Sequence, residues 1–333
     1  MMVQTPILAL FMADLLGLLL LIPAGLFALQ VLRHWDPSSG RAQQLRLEKR
    51  THLVAAILGL VLLTQILALP LFVHTVDRMA LQIVGAMCAV GTLNANFWGL
   101  PALLLRIGLF FLAAAWLLMH RMDKLAPDYP LIRAKYGLVL VILPLAAVTA
   151  GVQLAFFLQL DPDVITSCCG SLFSQGSESV AAHMAGLPAL PTMFALYGTI
   201  GLALAAAGVY LRWRRALVPF GILATLSFPV AIAAIVAFLS LYVYEHPLHH
   251  CPFCLLQPDY GRIGYALYLP LFGATAIGLG LALSAAFARR QSLRDVLAAA
   301  APPLVITAAA GLTLFAALAA WITSQSNLIL IGY

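Results

Sequence analysis

Long apolar runs alternate with short polar connections along the whole chain. Eight runs reach the length a bilayer demands, about 20 apolar residues for a helix crossing the hydrocarbon core. They lie at about 6–32, 52–73, 101–119, 136–160, 191–211, 217–243, 263–287 and 301–324. Within them Leu, Ala, Val, Ile and Gly follow one another with no polar residue at every second position. A lipid-facing β-strand needs that alternation, so the pattern predicts an all-α, polytopic transmembrane helical bundle of about eight spans. The segment 79–98 is the ambiguous stretch. Its second half carries Thr92, Asn94 and Asn96, and it reads as a re-entrant or interfacial element on the outer face.

Composition agrees with that reading. Of 333 residues, 63% are hydrophobic and 9% charged, with a mean hydropathy of +1.01. A soluble domain is about half apolar and about a quarter charged, so a water-soluble globule and a disordered chain are both excluded. The longest connection, about 161–190, is too short to build its own core, and residues 1–333 read as a single integral membrane domain.

The net charge of +6 sorts by side. The connections after spans 1, 3, 5 and 7 hold fifteen of the 18 basic residues: Arg33, Arg41, Arg46, Lys49 and Arg50; Arg121, Lys124, Arg133 and Lys135; Arg212, Arg214 and Arg215; Arg289, Arg290 and Arg294. Arg78, Arg106 and Arg262 remain on the other side. Lys and Arg collect in cytoplasmic loops, so both termini are expected to be extracytoplasmic, and the chain to sit in a bacterial inner (plasma) membrane. A ninth span over 79–98 would invert every later loop and break this sorting. The first basic residue follows the first span, which suits a retained anchor and not a cleavable leader. The run at 212–215 reads as a topology anchor, and no nucleic-acid partner is expected.

The same topology places Cys88, Cys168, Cys169, Cys251 and Cys254 on the extracytoplasmic side, where disulfides form and persist. The richest stretch is His246-Pro247-Leu248-His249-His250-Cys251-Pro252-Phe253-Cys254-Leu255-Leu256-Gln257, entering span 7. A Cys-x-x-Cys closes a reversible disulfide, and a cysteine at a helix N-terminus gains thiolate character from the helix dipole. Ser167-Cys168-Cys169-Gly170 offers a second, vicinal pair, whose disulfide would be strained and easily reduced. Three chemistries stay open. The cysteines exchange disulfides; or Cys251, Cys254, Cys168 and Cys169 bind a soft metal ion with His249, His250 and His183; or they form structural disulfides in a membrane subunit of a larger complex. Cys88, in Gly85-Ala86-Met87-Cys88-Ala89, is expected to be buried and inert, with Met87-Cys88 as soft donors the other reading. Leu255 stands where a covalent c-type haem needs histidine, so no such haem is expected.

Cys251-Pro252-Phe253-Cys254-Leu255-Leu256-Gln257, at the outer end of a membrane helix, resembles the motif of the DsbB-type disulfide-generating membrane proteins. It is similar also to the vitamin K epoxide reductase family. The likeness covers roughly 20 residues of motif context. It implies that Cys251 and Cys254 pass electrons to a membrane quinone. Cys168 and Cys169 would relay them from an extracytoplasmic thioredoxin-like or other thiol protein. DsbB proteins place an Arg shortly after the CxxC to hold the quinone; Pro258 stands there in this chain. Arg262, with Gln257 and Arg106, is the expected quinone-binding group.

Within the spans, Asp14 is ionisable at a costly depth and a functional candidate for that reason. Arg106 is expected to snorkel to the headgroups, or to meet a quinone or anion. Gln65, Gln153 and Gln159 are expected to hydrogen-bond between helices.

Overall fold

The computed structural model describes residues 4–36, 42–161, 163, 164, 166 and 180–330. Cys168 and Cys169 lie outside the described residues. Eleven α-helices follow in chain order among them: α1 Thr5–His34, α2 Ala42–Met79, α3 Ala89–Leu93, α4 Gly99–Leu125, α5 Ile132–Leu158, α6 Val180–Ala185, α7 Ala189–Trp213, α8 Leu217–Ala234, α9 Ser240–Tyr244, α10 Ile263–Ala286 and α11 Gln291–Gln325. A π-helical turn, Ile235–Leu239, joins α8 to α9. No strand occurs among the described residues.

Eight helical stretches are long and apolar enough to cross a membrane, each over one of the eight apolar runs. The protein is an integral, multi-pass membrane protein. Two helices begin well ahead of their apolar stretch. α2 starts at Ala42, well before the run at 52–73, because Gln43-Gln44-Leu45-Arg46-Leu47-Glu48-Lys49-Arg50 is made of good helix formers. α11 starts at Gln291 and continues through Pro302 and Pro303. The segment 79–98 contains no long helix. It holds a one-turn 3₁₀ helix, Ala80–Gln82, and the five-residue α3, all of whose side chains are buried.

The chain divides into two compact units. The first comprises Met1–Thr75, Asn96–Leu160 and Leu283–Pro302. In it α5 packs on α1 and α4 around Phe27, Leu58, Trp116, Tyr136 and Ile142. The rings of Phe27 and Tyr136 meet edge to face at 5.5 Å. Trp116 donates its indole N–H to the carbonyl of Lys135 at 3.0 Å. Where α4 turns into α5, Asp123 pairs with Lys135 at 2.6 Å and accepts the Leu131 N–H at 2.7 Å, so the pair closes the hairpin between those helices.

The second unit comprises Val76–Ala95, Asp161–Ala282 and Pro303–Tyr333. α7 packs on α8, and α8 meets α10 through small residues. A Cβ on Gly221 would lie 2.5 Å from the Gly278 carbonyl and 2.7 Å from the Ala282 methyl. Lipid supplies no hydrophobic drive between spans, so close backbone approach through Gly and Ala takes its place.

A candidate three-cysteine site

Cys88, Cys251 and Cys254 are each placed by local features of their own segments. Cys88 directly precedes α3 in extended conformation, and its carbonyl accepts the Gly91 N–H at 3.0 Å. Asp77, in the last turn of α2, accepts the N–H of Ala89 at 3.2 Å. The turn ahead of Cys88 rests on Gly85, with φ of +82°; a Cβ there would sit 2.2 Å from the Thr166 carbonyl. Only glycine fits both demands. Thr166 donates its N–H to Val84 at 3.0 Å and its hydroxyl to Gly91 at 3.1 Å, gripping the Cys88 segment from both sides.

The other two cysteines lie on the connection from α9 to α10. Glu245, at φ of +50°, ends α9. The Tyr244 hydroxyl donates to the Cys251 carbonyl at 2.6 Å, and the Tyr268 hydroxyl to the Pro252 carbonyl at 2.7 Å. Cys254 opens a single 3₁₀ turn, Cys254–Leu256. Gln257 then leaves in extended conformation, as a residue before proline does, and α10 begins only at Ile263. The expectation that Cys254 enters the membrane helix is therefore corrected. Pro258 interrupts the chain, and one 3₁₀ turn supplies no helix dipole of the kind invoked for thiolate stabilisation.

These segments converge. The sulfurs of Cys88, Cys251 and Cys254 lie within 4.8 Å of one another, and none is in a disulfide. Cys88 Sγ is 3.4 Å from Cys251 Sγ. Cys88 and Cys251 are fully buried and Cys254 is 7% exposed. Val90 and Val236 complete the cluster, with Ala181, Met184, Ala185, Tyr244, Phe253 and Tyr260 packed against it. The Cys88 reading is half corrected: the residue is buried, as expected, but its sulfur touches the CxxC. The signal available in the sequence was topological: the charge sorting that assigns the other four cysteines to the outer side assigns Cys88 there too.

Gln257 ties the two segments together. Its side-chain amide donates to Asp77 at 3.3 Å and to the Met87 carbonyl at 3.1 Å, fastening the residue before Cys88 to the end of the CxxC turn. The π-helical turn contributes too. The Val236 carbonyl accepts from His250 Nδ1 at 2.8 Å, so that nitrogen carries the proton. Asp77, Tyr244, Tyr268 and the Val236 carbonyl were not legible as site residues, because nothing local marks them.

The remaining expected residues are dispersed. His249 stacks on Tyr244 at 4.1 Å between ring centres, and its Nε2 is buried without a hydrogen-bond partner. His183 is exposed on α6, and Arg262 is exposed immediately before α10. No histidine nitrogen or carboxylate oxygen of a described residue joins the three sulfurs within 4.8 Å. Tyr260, against the sulfurs, also lines a cavity of about 360 Å³ with Tyr242, Glu245, Ile263 and Trp321.

Arg106 belongs to the first unit and does not snorkel: it is fully buried. Its guanidinium grips Asp14 through two hydrogen bonds of 2.9 and 2.7 Å, and donates to Gln65 at 2.9 Å and to Gln153. Gln153 also donates to Asp14 at 2.9 Å. A cation at that depth is stabilised far better by a carboxylate than by stretching toward headgroups, which is the physical reason for the correction. Gln65 and Gln153 are interhelical partners, as the sequence led us to expect. Gln159 is one as well, accepting the Trp98 indole N–H at 3.1 Å.

No family model, curated protein or solved structure matches the chain.

Proposed function

We propose that this protein exchanges thiols and disulfides at the extracytoplasmic face of a bacterial plasma membrane and delivers the electrons to a quinone in the bilayer. The sorting of basic residues supports an orientation with both termini outside. One observation carries the reading: a third thiol, Cys88, stands 3.4 Å from Cys251, beside a Cys-x-x-Cys whose Cys251 and Pro252 carbonyls are held by tyrosine hydroxyls. Exchange requires a sulfur within reach of a disulfide sulfur, and this arrangement supplies it.

In the oxidised site Cys251 and Cys254 share a disulfide. Two electrons from a substrate dithiol convert it to two thiols, and the substrate leaves as a disulfide. The quinone then takes two electrons and two protons to become quinol, and the disulfide closes again. Burial keeps a soluble protein away from Cys251, so the electrons enter through a second pair. Cys168 and Cys169, two and three residues after the anchored Thr166 in sequence, fill that role and meet the extracytoplasmic thiol protein. The acceptor needs an apolar slot with space for a planar ring. The open groove beside Tyr260 presents Tyr242, Tyr260 and Trp321 for such a ring, and Arg262 lies in sequence between two of its lining residues, Gly261 and Ile263.

The test is acid quenching of cells followed by alkylation of free thiols with a mass-tagged maleimide. Cys251 and Cys254 are expected oxidised in respiring cells and reduced when quinone synthesis is blocked. A thiol state indifferent to quinone would overturn the reading.

A further inference from the structure

The same three sulfurs have a property that exchange does not use. We infer that in the reduced state Cys88, Cys251 and Cys254 bind one soft monovalent ion of the copper(I) class in trigonal coordination. Closing a disulfide among them expels it.

Metal–thiolate bonds are about 2.3 Å long, so a trigonal site places its sulfurs about 4.0 Å apart. The three sulfurs already lie within 4.8 Å of one another. The closest pair, at 3.4 Å, needs to open by only about 0.6 Å to match that trigonal spacing. No histidine nitrogen or carboxylate of a described residue lies within 4.8 Å of all three sulfurs as a fourth ligand. Structural zinc is almost always four-coordinate, and hard ions demand oxygen ligands, whereas soft thiolates select copper(I). The sheath of Val90, Val236, Met184, Phe253 and Tyr260 keeps water from completing a harder ion's shell.

The supports are those expected around a metal centre. Asp77 holds the Ala89 N–H beside Cys88, and the two tyrosines hold the Cys251 and Pro252 carbonyls, so the sulfurs are positioned before an ion arrives. Uptake displaces thiol protons to solution and therefore weakens as pH falls. No electron moves in binding. Oxidation of two thiols to a disulfide, with the quinone taking the electrons, removes two ligands and releases the ion. The inference shares its sulfurs with the exchange reading but needs only their reduced state, so each can fail alone.

The experiment uses the full-length protein in detergent, stripped of metal and reduced under anaerobic conditions. Copper(I) is titrated against a colorimetric copper(I) chelator. We expect one ion per chain, a first shell of three sulfurs by X-ray absorption, and loss of binding after diamide oxidation. Cys88→Ser is expected to weaken binding at least 100-fold while leaving elution volume and helical circular dichroism unchanged. If that variant aggregates, Cys88→Ala and Cys254→Ser are measured the same way. Retention of all copper by the chelator would overturn the site. So would unchanged affinity in every cysteine variant, or displacement of copper(I) by equimolar zinc. Thiol trapping on the metal-free preparation reports on exchange separately.

Discussion

The first unit and the second each bury a cluster that hydrocarbon tolerates poorly, and they resolve the problem in opposite ways. Around Arg106, charge answers charge. The carboxylate of Asp14 and two glutamine carbonyls take the terminal donors of the guanidinium, leaving only Nε without a partner. Gly17 belongs to the same design, since a Cβ there would sit 2.9 Å from the Gln65 amide. The knot links α1, α2, α4 and α5, and its members have little left to offer a ligand. Around Cys88 the firm hydrogen bonds go to the backbone instead, and the three sulfurs gather among apolar and aromatic side chains. The first arrangement is a staple. The second fastens its backbone by hydrogen bonds and brings three thiols within 4.8 Å of one another.

The sharpest way to break this contrast is to remove one partner from each cluster. Arg106→Leu leaves the Asp14 carboxylate buried without its cation, at an expected cost of about 3–5 kcal/mol. Thermal unfolding in detergent should show it, with Asp14→Leu/Arg106→Leu recovering most of the loss. Cys88→Ala should cost about 1 kcal/mol, the ordinary range for a substitution that leaves no charge or strain behind. Equal destabilisation by Arg106→Leu and Cys88→Ala would mean that the sulfur cluster is structural.

Close packing in the second unit gives the next effect. Gly221→Val forces α8 away from Gly278, with an expected loss of about 1–3 kcal/mol. If the sulfur site draws its rigidity from this contact, the variant also raises the alkylation rate of the three thiols. An unchanged rate would confine the site's support to its own hydrogen bonds.

Asp77→Asn keeps the shape but weakens the acceptor for Ala89 and Gln257, an expected loss of about 1 kcal/mol. Its diagnostic readout is chemical: the equilibrium of the Cys251/Cys254 pair with a glutathione buffer should shift, while Asp163→Asn should leave it in place. No shift would make Asp77 a fold residue only.

The smallest effect lies back in the first unit, on the surface. Burial pushes the Asp128 carboxyl up, but hydrogen bonds from Ser292 and Arg290 outweigh that and hold it below the ordinary carboxylate value. Its contribution is therefore complete above the unfolded value and is lost as pH falls through the folded one. The pair with Arg290 is half exposed, so Asp128→Asn should cost about 0.2–1 kcal/mol near neutrality and nothing in strong acid. A pH-independent difference between the two proteins would contradict it.

Much of the fold was legible because a bilayer imposes length. Eight apolar runs had to become eight helices, since no other structure hides their backbone from lipid. The short elements were harder. Pro258 could be seen, but the bonds that hold the turn after Cys254, from Gln257 to Asp77 and to the Met87 carbonyl, come from elsewhere in the chain. Cys88 lies 163 residues from Cys251, and no local signal spans such a distance.

α1 shows where the boundary falls. Leu8, Met12, Leu15, Leu19, Ile22, Leu26 and Leu29 are exposed to the surroundings, while Ile7, Leu10, Asp14, Gly17, Leu21, Ala24 and Ala28 are buried. Both faces repeat at helical spacing and, Asp14 apart, neither carries a polar residue between Ile7 and Leu29, because lipid and protein interior are equally apolar solvents. The sequence by itself determined the number of spans, the sorting of charge among the connections and the placing of Cys88, Cys251 and Cys254 between spans. Those follow from hydrophobicity and length, which are sums over local residues. Only the tertiary structure decided which face of each span packs, that Arg106 meets Asp14, and that Cys88 meets Cys251. Those depend on complementary shape and pairing between distant segments, and no single segment carries that information.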